Sequence, residues 1–169
     1  MTQSRMKAMP AHQYDSDFYL WTQEQAELLR AMPRSNALDV DNLAEEVEDM
    51  GRAELNKVAS LMVQVLVHLL KLAIEPEAPA RAHWIEEILT FQADARRTFS
   101  PGMRQRLDSE DMWHDAVRLA LAARAGMGRP PLAAPERCPL PLDTLLARDF
   151  EHEAALAAIA AALPPLAQH

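Results

Sequence analysis

The stretch DVDNLAEEVEDMGRAELNKVASLMVQVLVHLLKLAIE, residues 39–75, decides the fold. In its first part Val40, Leu43, Ala44, Val47 and Met50 recur every three or four positions, which is helical spacing. Gly51 interrupts the pattern. Leu55, Val58, Ala59, Met62, Val65, Leu66, Leu69 and Ala73 then resume it. From Leu61 to Ile74 nearly every position is apolar, and a helix that is hydrophobic almost all round has to be covered on most sides. This segment therefore predicts the central helix of a bundle. Its apolar run is 14 residues long and contains Gln64, His68 and Lys71. A bilayer span needs about 20 predominantly apolar residues, so the reading is a core helix and no membrane association.

Outward from this segment, the 12 prolines mark helix ends, because proline lacks the amide hydrogen and clashes with the preceding turn. They leave the windows 34–75, 80–100 and 102–129 uninterrupted. A first helix is expected from Ser16 to Ala31, capped by Asp15 or Ser16 and carrying Phe18, Trp21, Gln25, Leu28 and Met32 at helical spacing. The second opens after Asp39 and stops before Pro76. A third runs from Ala80 to Phe99, with Trp84, Ile85, Ile88, Gln92, Ala95 and Phe99 on one face. Ser100-Pro101 reads as a cap and first-turn proline of a fourth, which continues to Ala125 with a break near Asp108 and a stop at Gly126. Residues 127–141 are proline-rich and extended. Short helices follow at Leu142–Arg148 and Glu151–Leu163. No stretch alternates β-branched and polar residues between turn signals, so no strand is expected. The fold class is all-α: an antiparallel bundle of four to six helices with a buried central helix and a proline-rich C-terminal arm. Residues 1–13 read as a disordered tail, 14–150 as the bundle and 151–169 as an alanine-rich helical extension.

The 169 residues are 49% hydrophobic and 25% charged, the ordinary globular range. Cys138 is the one cysteine, so there is no internal disulfide and no zinc-type cysteine pair. With no apolar core in the first nine residues to make a secretory signal, the expected location is cytoplasmic. Net charge is −8, of which the segment from Asp39 to Glu54 contributes −6: seven acids against Arg52. Polyanion binding needs a basic face. Only Arg96, Arg97, Arg104 and Arg106 form a local basic cluster, which argues against nucleic acid as a partner.

Two constellations carry candidate chemistry. Glu45, Glu46 and Asp49 are candidate ligands for a divalent cation, magnesium or manganese, since these ions take clustered oxygens and facing helices can supply them. Glu45-Glu46-x-x-Asp49 is similar to half of the acidic motif of all-helical nucleotide pyrophosphohydrolases; the second acidic pair does not follow. Asp41, Glu45, Glu48 and Arg52 share one helical stripe and form a candidate partner-binding face; the plainer reading of the whole segment is a solvated helix face, with acids near a helix N-terminus where the macrodipole favours them. The second constellation is a polar line of Lys57, Gln64, His68, Lys71 and Glu75 on the apolar helix. It reads as a solvent seam, as a histidine hydrogen-bonded in the core or, in a groove, as a site in which His68 and Lys71 are candidate catalytic residues, because histidine titrates near neutrality. The two constellations can meet only if the chain turns sharply at Gly51. His83, Glu87 and Asp94 share a face of the third helix and read as an exposed stripe. Cys138 follows Arg137, which could lower its pKa, but no histidine adjoins it.

The same residues carry a family resemblance. Tyr14-Asp15-x-Asp17-Phe18-Tyr19-Leu20-Trp21 with Glu24-Gln25, then Asp41-Asn42-Leu43-Ala44-Glu45-Glu46-Val47-Glu48-Asp49-Met50-Gly51-Arg52-x-Glu54, His68-Leu69-Leu70-Lys71 and Cys138-Pro139-x-x-Leu142 resemble the bacterial domain-of-unknown-function family 29 over residues 14–150. Leu72 stands where that family commonly has tryptophan, and Ala53 where it has serine. The resemblance implies an all-helical domain of the bacterial cytosol and no assigned activity.

Three readings follow. The preferred one is a noncatalytic interaction or regulatory module that offers residues 39–54 to a basic protein partner, or to the arginine cluster of a second copy in a homo-oligomer. The second is a metal-dependent hydrolase of a phosphorylated small molecule, with Glu45, Glu46 and Asp49 holding the metal. The third is an antitoxin-like protein that wraps a partner with its proline-rich arm.

Overall fold

Side-chain caps and prolines set the helix ends in the computed structural model, which describes residues 13–34 and 37–164. The helices are α1 (Gln13–Ser16), α2 (Phe18–Arg30), α3 (Val40–Ile74), α4 (Arg81–Thr98), a 3-10 turn (Pro101–Met103), α5 (Ser109–Gly126), α6 (Leu142–Leu145) and α7 (His152–Ala162). Among the described residues there is no strand, so the all-α expectation holds. The expected N-terminal tail lies outside the described residues except for Gln13, which is helical and buried. The described residues fall into two compact units, one within Met1–Leu55 and Ser100–Arg106, the other within Asn56–Phe99 and Leu107–His169.

In the first unit the expected helix from Ser16 starts at Phe18, and the short α1, which was not expected, precedes it. The backbone leaves the helical region at Asp17 (φ −151°, ψ 75°), whose carboxylate accepts from Leu20 N at 3.1 Å and so caps α2. Asp17 also accepts from the Ser100 hydroxyl at 2.8 Å and from Gly102 N at 2.7 Å. Asp15, Ser16 and Asp17 all have capping chemistry. The two distant donors decide among them, and adjacent sequence does not show those. Ser100 consequently caps nothing on its own helix.

The face of α2 that packs inward is Tyr19, Thr22 and Ala26. Leu28 and Met32 stay exposed. Phe18 and Trp21 instead stack at 5.8 Å and meet Tyr14 edge-on, at 5.4 and 4.8 Å. The reason is Gly51. It is buried, and a Cβ built on it would lie 2.0 Å from Thr22 Oγ1. With Ala26 and Ala44 also fully buried, small residues line the inner faces, and these helices approach closely. That choice of inner face turns Leu43 and Met50 outward, contrary to the apolar stripe read from spacing; they are 40% and 50% exposed.

The second unit contains the C-terminal part of α3, where Val58, Met62, Val65, Leu66, Leu69 and Leu72 are wholly buried. Each such side chain contributes about 1.5–3 kcal/mol of transfer free energy. By length and composition alone α3 would pass as a bilayer-crossing helix; half of its most apolar window is buried within the protein, as in a core helix. His68 meets Glu87 and Lys71 meets Trp84. As one partner's number rises by three the other's falls by three, so α3 and α4 are antiparallel here. Ile88, Gln92 and Ala95 are the buried face of α4. The Gln92 amide donates to the carbonyls of Leu145 (3.0 Å) and Ala147 (2.8 Å), satisfying the end of α6.

The expected fourth helix is corrected at both ends. Its start belongs to the 3-10 turn, and α5 begins after Asp108, whose Oδ1 accepts from Glu110 N and Asp111 N. Its stop is Gly128 and not Gly126. Gly128 has φ +69°, its N–H reaches Ala125 O at 2.9 Å, and Arg129 N reaches Arg124 O at 3.2 Å. This pair of bonds is the Schellman arrangement, whose left-handed position favours glycine. The proline-rich segment then lies on α5. Trp113 donates its indole N–H to Pro135 O at 2.8 Å, and Glu110 accepts from Cys138 N at 2.9 Å.

Candidate functional site

The polar line of α3 is exposed at Lys57 and buried at His68. His68 is 6% exposed. Its Nδ1 lies 2.8 Å from Gln64 O, one turn back, and donates to it; its Nε2 lies 2.8 Å from Glu87 Oε2, a contact that needs a proton on one of the two. That second contact is an ion pair only when the ring is protonated. Burial disfavours the charge most strongly, and Lys71 and His83 add to it, against the pull of the Gln64 carbonyl and the Glu87 carboxylate. The net effect moves the His68 pKa below its ordinary value. Glu87, expected on an exposed stripe, is therefore the partner of a buried histidine, and His83 approaches the same oxygen at 3.4 Å. Phe91 covers the His68 ring at 5.8 Å. Asp94, further along that stripe, pairs with Arg97. The spacing from His83 to Glu87 showed a shared face; which side of α4 met α3 was not visible in it.

Lys71, the other candidate catalytic residue, sets its ammonium 5.7 Å from the Trp84 ring centre. It borders a cavity of about 280 Å³ with Ile74, Trp84, Ala123, Arg124 and Met127. Glu75 pairs with Arg124 at 3.3 Å across the cavity's rim.

In the acidic segment several carboxylates are answered by arginines of the same unit. Asp41 pairs with Arg34 at 2.9 Å, Glu48 with Arg30 and with Arg52 (3.7 Å), and Asp49 with Arg52 at 2.7 Å. Arg30's hydrogen bond holds the Glu48 carboxyl below the usual range. So three of the four residues of the expected partner-binding stripe, Asp41, Glu48 and Arg52, are in intramolecular pairs, while Glu45 is exposed. Of the three candidate metal ligands, Asp49 is held by Arg52, while Glu45 and Glu46 are exposed. Among the described residues no three His, Cys, Asp or Glu side chains converge as metal ligands. α3 runs unbroken through Gly51, so the sharp turn expected of a composite site is not made there.

Cys138 is half-buried, and its thiol donates to Leu140 O at 3.2 Å. Burial, the largest influence, pushes the thiol pKa up, whereas Arg137 had suggested the opposite. The thiolate is the reactive form. Iodoacetamide at about pH 8 is therefore expected to label Cys138 several-fold more slowly in the folded chain than in urea; equal rates would contradict this burial.

Among the described residues every buried side-chain nitrogen and oxygen has a hydrogen-bond partner. The class is thus an all-helical domain whose interior polar groups are satisfied by its own chain. The chain belongs to the family described as domain of unknown function DUF29, whose model matches residues 13–151. A solved alpha-helical protein of unknown function from Rhodospirillum rubrum is 36% identical, with a TM-score of 0.80 over 89% of this chain and 98% of that one. No curated protein matches the chain.

Proposed function

We propose that this chain is a noncatalytic interaction module of the bacterial cytoplasm, which offers the outward flank of α3 in its first unit to a basic, amphipathic protein segment. The observation that carries the reading is the line Leu43, Glu46, Met50 and Glu54. These are spaced three, four and four, so they adjoin on the helix surface. Leu43 and Met50 are exposed, and neither Glu46 nor Glu54 has an ion-pair partner among the described residues. Alternating apolar and acidic groups suit a partner helix with apolar anchors flanked by lysine or arginine. The acids on the other flank are consumed by Arg30, Arg34 and Arg52 and are not available in the same way. No observation favours the metal-dependent hydrolase, and the proline-rich arm lies on its own unit through Trp113 and Glu110.

The test is affinity capture with wild type, Leu43→Glu/Met50→Glu and Glu46→Lys/Glu54→Lys, followed by titration of the captured protein in purified form. Both double variants should fold as wild type does. Each is expected to weaken the complex by about 2 kcal/mol, roughly 30-fold, as for a typical interface hot spot. Sedimentation of the same three proteins checks whether the partner is a second copy. A complex that forms equally well with all three would remove the reading.

A further inference from the structure

We infer that the cavity between α3, α4 and α5 in the second unit is a binding site for a small amphipathic monocarboxylate, its charge on Lys71 and its apolar body against Trp84, Ile74 and Met127. The walls carry Lys71, Arg124 and Glu75, a net of one positive charge in a chain of net −8. Arg124 is fixed. It is 15% exposed, it pairs with Glu75, and its Nε donates to Pro130 O at 2.9 Å. Its backbone carbonyl is tied into the Gly128 stop of α5. Glu75 thus offsets the guanidinium and leaves the Lys71 ammonium over the Trp84 face, without a carboxylate of its own among the described residues. A cation stacked on an indole loses part of its hydration and gains most from an added anion.

Shape limits the ligand. The remaining wall is apolar, contributed by Ile74, Trp84, Ala120, Ala123 and Met127, around a volume of about 280 Å³. It lies at the small end of ligand sites, which run from roughly 300 to 1,000 Å³. An aryl or short acyl acid fits this volume. Both alanines at the wall, Ala120 and Ala123, leave the space that larger residues on α5 would fill.

Isothermal titration calorimetry of the full chain with 4-phenylbutyrate and octanoate, beside 4-phenylbutan-1-ol, tests this. The carboxylates are expected to bind one per chain, and the alcohol about tenfold or more weakly, because it lacks the charge-assisted contact. Lys71→Met should erase the preference for the acid. Ala123→Leu, at an exposed helical position, should fold normally and abolish binding of both. Thermal melts of each variant establish that it is folded. Equal affinity for acid and alcohol, binding that survives Ala123→Leu in a folded protein, or no heat with either acid would each overturn the inference.

Discussion

Gly51→Ala is expected to destabilise the first unit by about 2–3 kcal/mol, although alanine is the better helix former. In an open helix the substitution would add roughly 1 kcal/mol of stability, since glycine has more backbone freedom to lose. Here the new methyl would sit 2.0 Å from Thr22 Oγ1 and 3.1 Å from Thr22 Cβ. The hydroxyl cannot simply swing aside. It donates to Tyr19 O at 2.7 Å, and Thr22 is wholly buried. The clash must be relieved by moving α2 away from α3, which loosens Ala26 and Ala44 as well. Overpacking of a tight core costs about 1–3 kcal/mol and occasionally more; a contact this short on a buried, hydrogen-bonded hydroxyl is expected to cost about 3–4 kcal/mol, which leaves a net loss of about 2–3 kcal/mol after the propensity gain. In a chain of this length 2–3 kcal/mol corresponds to a fall in Tm of roughly 5–10 °C. The control is Thr22→Ala, which removes Oγ1. In that background Gly51→Ala should cost far less, and the double-mutant cycle isolates the contact. If Gly51→Ala alone melts at or above the wild-type temperature by circular dichroism, the close approach of these helices is wrong.

The case of Gly51 also shows how much the sequence could tell. Helix positions were legible because prolines, capping residues and apolar spacing are local signals: α3, α4 and α7 start and stop within about two residues of where Asp39, Pro76, Pro79 and Pro164 place them. The inward faces were less legible. Spacing put Leu43 and Met50 on an apolar stripe with Val40 and Ala44, yet only Val40 and Ala44 are covered. The deciding residue was Gly51, whose missing side chain admits Thr22 to the opposite flank. A periodicity scale scores glycine as an interruption when it is in fact the point of closest contact. The candidate site was half legible for the same reason. His68 and Lys71 stood out as polar residues in an apolar run, but their partners Glu87 and Trp84 depended on which side of α4 faced α3. The ion pairs that occupy Asp41 and Glu48 come from Arg34 and Arg30, arginines at the end of α2 and just beyond it. A count of acids in residues 39–54 shows their charge and not where it is answered.

Asp17→Ala should produce the other large effect, a loss of about 4 kcal/mol. The side chain is 9% exposed and accepts three hydrogen bonds: from Leu20 N, the Ser100 hydroxyl and Gly102 N. The first caps α2, and loss of an N-cap costs about 1 kcal/mol. The other two join a carboxylate to donors more than 80 positions away in sequence. Hydrogen bonds to a charged group contribute about 1.5–3 kcal/mol each, and truncation leaves their donors facing an apolar gap. The full sum is reduced because the Ser100 hydroxyl can rotate to another acceptor. Asp17→Asn keeps the shape but sets an amide NH2 against one donor, so it should lose about half as much. Asp15→Ala, two residues earlier and exposed, is expected within about 0.5 kcal/mol of wild type. Urea denaturation followed by circular dichroism orders the series as Asp15→Ala, Asp17→Asn, Asp17→Ala. Hydrogen exchange at the Gly102 amide then separates the two roles. A mere cap would leave that amide protected in Asp17→Ala, whereas a carboxylate that also holds the 3-10 turn against α2 would expose it. Equal stability of Asp15→Ala and Asp17→Ala would show that Asp17 ties nothing together.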